Sequence, residues 1–322
     1  MTLRQLRALV ATVRAGSLSA AARSLAVTPP AVTLQLQQLE GLARLPLLQR
    51  SAAGTQPTEA GRELVALGDR IDSAIAECAA VLEAMRGLTA GRVCVGVVST
   101  AKYFAPFALA EFARSHPGID VKLVVGNREV VVAGLERFEI DLAIMGRPPA
   151  GMEVEQVLIG DHPHVVIAAP THPAVERICA ATELADETFL LRESGSGTKM
   201  LTERFFADAG IAPRVGMEIG SNETIKQAVM AGLGIALISA HTIAAEIANG
   251  RLAVLRVEGL PIMRKWFVVR RTDKRLLPAA RAMRDFLARE ATRFLPPVPA
   301  APRRAQRRQR IRRPRCRRAA QA

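Results

Sequence analysis

The chain has 322 residues, 49% hydrophobic but only 4% aromatic, enough for two or three domains with sizeable aliphatic cores. No apolar run approaches the ~20 residues of a membrane span, and no apolar leader with a small-residue cleavage site opens the chain, so a cytoplasmic protein with no membrane partner is expected. The formal charge of +14 is concentrated: ten arginines lie between Arg303 and Arg318, and subtracting them leaves the body at +4.

Leu3, Leu6, Leu9, Val10 and Val13 recur at helical spacing until Gly16. Ser17 can cap a second short helix, Leu18–Leu25, with Ala21, Ala22 and Leu25 inward. After a tight turn comes "TPPAVTLQLQQLE", Thr28 to Glu40. Proline at the first helical position gives up no intrahelical bond, and its fixed φ suits the helix. Thr28 is therefore expected to cap a helix that Pro29 and Pro30 begin and that runs to about Gly41 or Leu42. Val32, Leu36 and Leu39 would face the core, with Thr33, Leu34 and Gln37 turned away. One helix followed by two more across a short turn is a helix-turn-helix, whose second helix of the pair enters the major groove by its N-terminal end. Residues 47–61 then read as two extended pieces around a small-residue turn, a wing that sets Arg50 beside phosphates. The expected DNA-contacting set is Thr28, Pro30, Ala31, Thr33, Leu34, Gln37 and Arg50.

Thr58 is placed to cap a long helix. Leu64, Leu67, Ile71, Ala74, Cys78, Val81 and Met85 follow spacings of 3 and 4 in alternation, a heptad seam that suits pairing with another helix. A dimerisation linker over 59–90 is expected. From Arg92 the pattern changes to strands alternating with helices: strands at 92–100, 121–126, 141–146, 164–170, 188–191, 214–220, 234–239 and 265–271, helices near 198–209, 222–231, 240–248 and 278–294. Such alternation predicts α/β structure with mostly parallel sheets, here two lobes with a cleft at the strands' C-terminal ends. Residues 296–322 lack apolar periodicity and read as a disordered Arg-rich tail, either a nonspecific phosphate-binding arm or a dispensable extension.

Catalytic readings find little support. "GLGIAL" (232–237) lacks the third glycine of a dinucleotide fingerprint. "ESGSGTK" (193–199) has the wrong glycine spacing for a phosphate loop and no glycine two residues before Ser196 for a nucleophile elbow. "HPH" (162–164) has no supporting carboxylate or cysteine, which favours surface or edge histidines over a metal site. Cys78, Cys94, Cys179 and Cys316 are isolated. No cofactor and no enzymatic activity are expected. The same loops suit a binding cleft: Thr100 and Lys102 in "STAK", Asn127 and Arg128 in "GNR", Arg147 in "GRP", Arg192, then Glu193, Ser194, Ser196 and Thr198 in "ESGSGT", and Asn222 in "GSNET". Hydroxyls, helix N-termini and the positive charge of Lys102, Arg128, Arg147 and Arg192 together favour a small anion.

Residues 2–64, with "LRQLRALVATVRAGSLSAAARSLAVTPPAVTLQLQQLE" followed by "PTEAG", resemble the winged helix-turn-helix of LysR-type transcriptional regulators. The effector region, with "TAKYFAP", "VGNRE", "DLAIMGRPP", "ESGSGT", "SNETIKQAVMAGLGIALISAHT" and "RKWFVVRR", looks like the subgroup that regulates the Calvin-cycle (RuBisCO) operon. The resemblance spans about 1–294. It implies an α/β protein with an all-α winged helix-turn-helix head (1–58), a linker helix (59–90) and a two-lobed, periplasmic-binding-protein-like effector domain (91–295). It further implies a transcription regulator of carbon-fixation genes that senses a phosphorylated metabolite or reduced nicotinamide nucleotide. The expected partners are a double-stranded DNA operator, the small anionic metabolite, and a second copy through the linker in a homodimer that doubles into a homotetramer, with RNA polymerase a further candidate. The alternatives are a LysR-type regulator of another metabolic operon, an intracellular solute-binding module, and an α/β enzyme with a helical N-terminal domain. Two departures stand out: the family usually has a glutamine where this chain has Pro29, and a polar or basic residue where it has Leu34.

Overall fold

The computed structural model describes residues 1–51, 54–85 and 91–298, with Arg50, Ser51, Ala80, Val81, Glu83, Ala84 and Met85 described by their backbone alone. The expected tail lies outside the described residues from 299 onward.

The head begins with α1 (Leu3–Ala15), closed at its start by a reciprocal capping box between Thr2 and Gln5 and at its end by Gly16 in the left-handed region. Ser17 caps α2 (Leu18–Ser24) by accepting from the Ala20 amide. Then α3 (Pro29–Ala43) starts at the proline pair. The Thr28 hydroxyl makes no cap bond, contrary to expectation. Its carbonyl does the work instead, accepting from the Ala31 and Val32 amides at 3.0 and 3.3 Å. The two prolines have removed the earlier amide donors. Val32, Leu36, Leu39, Leu9, Ala21 and Leu47 form one core, each leucine contributing about 2 kcal/mol of burial. The head is not purely helical: β1 (Leu48–Ser51) and β2 (Gly54–Pro57) pair antiparallel as the wing.

Next, α4 (Glu59–Met85) leaves the head. Thr58 caps it through the Gly61 amide at 3.1 Å. Gly61 is needed there, because a Cβ would lie 2.0 Å from the Leu47 carbonyl oxygen. Leu64 packs against the head core, whereas Ala74 and Cys78 of the seam are exposed, with Ile75 and Leu82 beside them.

The effector domain runs through β3 (Gly91–Val98), α5 (Ala105–Ser115), β4 (Ile119–Gly126), α6 (Arg128–Glu136), β5 (Leu142–Met145), β6 (Val154–Ala168), β7 (Ile178–Cys179), β8 (Thr188–Arg192), α7 (Gly197–Ala209), β9 (Arg214–Ile219), α8 (Asn222–Met230), β10 (Ala236–Ser239), α9 (Ala244–Ala248), β11 (Ala253–Val254), β12 (Arg256–Val257), β13 (Ile262–Arg271) and α10 (Pro278–Glu290). Three features differ from expectation. The sheet is mixed, not mostly parallel: β3 is parallel to β4 and β5, but β6 and β13 are antiparallel to each other, and each runs antiparallel to a second neighbour, β10 and β5 respectively. The strand expected at 164–170 begins ten residues earlier, because β6 is one of two long strands that cross between lobes. Helix 240–248 is also split, into a 3-10 turn (Ala240–Thr242) and α9.

The crossing strands join two bodies with separate cores. In the first, Val95, Phe104, Phe112, Trp266 and Phe286 pack together. In the second, Val166, Phe189, Leu191, Phe205 and Leu237 do so.

Candidate functional site

The loops that leave β3, β4 and β5 in the first lobe face the loop before α7 in the second, with β6 and β13 between them. Together they enclose a cavity of about 530 Å3, within the usual range for a small-molecule site. Six of the residues expected to bind an effector line it: Thr100, Asn127, Arg128, Arg147, Ser196 and Thr198. Asn127 and Ser196 cap α6 and α7 by accepting from the Val130 and Thr198 amides at 3.0 and 3.2 Å. Both helix N-termini therefore border the cavity, where their unpaired amides and dipoles favour an anion.

Four expected residues lie outside that lining. Ser194 donates its amide to Glu218 at 3.0 Å. Lys102 is 3.8 Å from Glu223. Glu193 receives a two-pronged contact from Arg192, at 2.7 and 2.8 Å. Asn222 is buried and accepts from the same Arg192. Arg192 is thus neutralised by its neighbour and only 2% exposed; it does not supply free charge to the cleft. It bridges the lobes instead, donating to Ser99 at 3.2 Å. Tyr103 to Glu223, and the Glu129 amide to the Gly195 carbonyl at 3.3 Å, are further bonds between lobes. The strand-end rule placed these side chains in the right loops but could not tell a ligand-facing group from one that ties the lobes together.

The charge of the cavity comes in part from residues that sequence reasoning missed. Arg204 on α7 and Arg264 on β13 line it with Arg128 and Arg147. Arg128 and Arg264 donate only to carbonyls, Pro148 at 3.4 Å and Gly146 at 3.5 Å. Burial, then repulsion from Arg147, lowers the pKa of both, and Arg204 and Arg128 add to the effect on Arg264. Among the described residues no carboxylate pairs with Arg128, Arg147 or Arg264. The available signal was the alternation of Arg264 with the apolar Trp266 and Val268 along β13.

His162 and His164 also belong to the wall, and both are buried, at 5% and 3% exposure. The expectation of surface histidines is therefore wrong. The expected strand began only at His164, whereas the triplet sits midway along β6, with His162 opposite Arg264 and His164 opposite Ile262.

Six of the residues expected to contact DNA lie at the start of α3 or along it. Thr28, Pro30, Leu34 and Gln37 are exposed, and Ala31 and Thr33 are half-buried. The Thr33 hydroxyl donates to the Pro29 carbonyl at 3.1 Å, which leaves its oxygen free to accept. The Arg50 backbone lies in β1 opposite Thr55; its side chain is outside the described residues.

Comparison with known proteins agrees with this architecture. Residues 3–62 match the bacterial regulatory helix-turn-helix protein, lysR family, and residues 86–292 match the LysR substrate binding domain. The HTH-type transcriptional regulator CbbR of Xanthobacter flavus is 52% identical over 301 residues, covering 92% of this chain and 90% of that protein. The RuBisCO operon transcriptional regulator of Allochromatium vinosum is 44% identical over 295 residues, covering 91% and 98%. The CcmR regulatory domain of Synechocystis PCC6803, solved in complex with 2-PG, superimposes with a TM-score of 0.61 at 38% identity, covering 64% of this chain and all of that one. With its helix-turn-helix head and two-lobed effector domain, the chain belongs to the LysR family of DNA-binding transcriptional regulators.

Proposed function

We propose that the protein regulates carbon-fixation genes in response to a small organic anion bound between the lobes, most simply an organic phosphate. The observation that carries this reading is the set of arginines, Arg128, Arg147 and Arg264, gathered around one cavity without a carboxylate partner among the described residues. Such a cluster repels itself when empty and is relieved by an anion. Thr100, Ser196, Thr198 and the start of α7 add neutral donors suited to phosphate oxygens. The names of the CbbR and RuBisCO-operon relatives support the target genes, and the CcmR domain with 2-PG supports the ligand class.

In this reading α3 enters the major groove and α4 pairs with α4 of a second copy through Ile71, Ala74, Cys78 and their neighbours. The two heads then read two half-sites. Two such dimers form a tetramer, RNA polymerase is a downstream contact, and the protein works in the cytoplasm as a non-enzyme without a cofactor. Ligand binding favours one arrangement of the lobes, and α4 passes that preference to the head; the coupling requires unequal affinity for the two arrangements.

The test is footprinting and calorimetry on the full chain with 2-phosphoglycolate and related organic phosphates. Binding that is abolished in Arg147→Ala together with Arg264→Gln, and a footprint that changes with ligand, is the expected result. Identical footprints with and without every ligand would overturn the switch.

A further inference from the structure

The cavity has a second chemical character, set by its floor. His162 projects from β6, a crossing strand, and is buried. Its Nε2 lies 3.0 Å from the Ser239 hydroxyl on β10 of the second lobe. Its Nδ1 has no hydrogen-bond partner although it is buried, and it sits against Gly146, where a Cβ would approach it to 2.8 Å. Gly146 and His162 both line the cavity. A buried ring nitrogen left unpaired carries an uncompensated desolvation penalty, so an unused nitrogen on a cavity wall marks a place for a ligand atom.

The ring is held in place. It stacks on Trp266 with centroids 3.7 Å apart and planes 16° apart. Trp266 in turn donates its indole N–H to His241 at 3.1 Å and meets Phe104 edge-on at 5.2 Å. Burial and the neighbouring His164, His241 and Arg264 hold the imidazole well below its usual pKa, hence neutral. Among the described residues no group of three or more His, Cys, Asp or Glu side chains is arranged to hold a metal ion, which leaves hydrogen bonding as the chemistry of this nitrogen.

We propose that His162 is a specificity-determining residue: its Nδ1 hydrogen-bonds the second polar group of a small organic phosphate whose phosphate is held by the arginines. This inference rests on the anion-cavity reading above. The pairing with Ser239 sets what Nδ1 can recognise. If Ser239 donates to Nε2, Nδ1 carries the proton and donates to a carboxylate, carbonyl or hydroxyl oxygen. If Nε2 donates to Ser239, Nδ1 accepts from a hydroxyl. Either tautomer satisfies an organic tail and adds no charge, so the site prefers a phosphate carrying such a tail over inorganic phosphate. The same contact links the ligand to the second lobe through Ser239.

Two substitutions separate the two ring nitrogens. In His162→Asn the amide occupies the place of Nδ1 and the Ser239 bond is lost. In His162→Gln the amide reaches toward Ser239 and Nδ1 is lost. Calorimetry on the full chain, with thermal unfolding to verify folding, would use 2-phosphoglycolate and inorganic phosphate as probes. Wild type should bind 2-phosphoglycolate more tightly than phosphate. H162Q should lose roughly tenfold for 2-phosphoglycolate, the size of one hydrogen bond, and little for phosphate. H162N should stay within about threefold of wild type for both probes. Equal affinity of wild type for the two probes, unchanged 2-phosphoglycolate binding in H162Q, or parallel losses for both probes in H162Q would overturn the role of His162 while leaving the anion cavity standing. Wild type binding neither probe would overturn the anion cavity itself, and this inference with it.

Discussion

Arg14 of α1 lies 3.2 Å from Glu139 in the loop between α6 and β5, so the DNA-binding head touches the first effector lobe through an ion pair. The same guanidinium reaches Asp69 of α4 at 2.9 Å, and burial pushes the Asp69 carboxyl up against the lowering effect of Arg14. Head, linker and lobe therefore meet at one arginine. Arg14 and Glu139 are both about half exposed, which limits the pair to about 1 kcal/mol or less of stability. Its interest is positional. Glu139→Gln should leave ligand affinity and thermal stability nearly unchanged, yet alter the factor by which ligand changes operator affinity, by roughly two- to fivefold. Fluorescence anisotropy with labelled operator, with and without saturating 2-phosphoglycolate, measures that factor; an unaltered factor would remove this contact from the coupling.

The arginine cluster should trade stability for binding. Arg264 is partly buried among Arg147, Arg204 and Arg128, so Arg264→Gln removes both repulsion and desolvation from the empty cavity. Solvent screening keeps the gain to about 0.5 kcal/mol, seen as a rise of roughly 1–2 °C in Tm. The same variant should bind organic phosphate about 10–100-fold more weakly, since a charge-assisted bond is worth about 1.5–3 kcal/mol. Scanning calorimetry with and without 2-phosphoglycolate would show the curves crossing: the variant more stable when empty, wild type more stable when loaded. A variant less stable in both conditions would mean Arg264 serves packing rather than ligand.

The parts of this arrangement that were legible in the sequence are those with local signals. Pro29 and Pro30 ahead of Val32, Leu36 and Leu39 defined α3, and the strand-end loops at 99–102, 126–128 and 146–148 defined one rim of the cavity. What escaped depends on non-local pairing. His162 and Arg264 lie about a hundred residues apart and become neighbours only because β6 and β13 cross antiparallel. Spacing can set Arg264 on the same face as Trp266, but it cannot show that this part of β13 passes under a cleft beside His162. Arg192 shows the converse: its type and place suggested a ligand contact, but the adjacent Glu193 had already claimed its guanidinium.

Three buried histidines give stability a pH dependence with a definite sign. Burial lowers His164 to about 3 and His241 to about 4, from a usual 6.5, and holds His162 well below its usual value. Their folded-state pKa values lie below the unfolded ones, so the unfolded chain takes up more protons below pH 6.5. Stability is then fully present above about pH 6.5. It is lost as pH falls toward about 4 for His241 and about 3 for His164, at up to about 1.4 kcal/mol per pH unit for each group. Trp266 is the only tryptophan and touches His162 and His241, so its fluorescence reports urea unfolding of this region directly. Stability that stays flat between pH 7 and 5 would contradict neutral burial, whereas a His164→Gln variant should have a shallower slope than wild type.

Pro29 occupies the first position of α3, where its ring costs no hydrogen bond and its φ is already helical. It is exposed, at the end of α3 proposed to enter the major groove. Replacing it by glutamine restores the residue usual in the resembled family and adds an amide able to read adenine through paired bonds, worth about 1–3 kcal/mol of discrimination for a correct base. Pro29→Gln should therefore tighten binding to operators carrying a reachable adenine, and leave others unchanged or slightly weaker. The helix itself should lose well under 1 kcal/mol, since the proline contributes only preorganisation. Selection of preferred sites from a randomised operator library by the two proteins is the direct measurement. Identical selected sequences would show that this end of α3 stands clear of the bases, and that readout falls to Thr33, Leu34 and Gln37 and to the shape of the DNA.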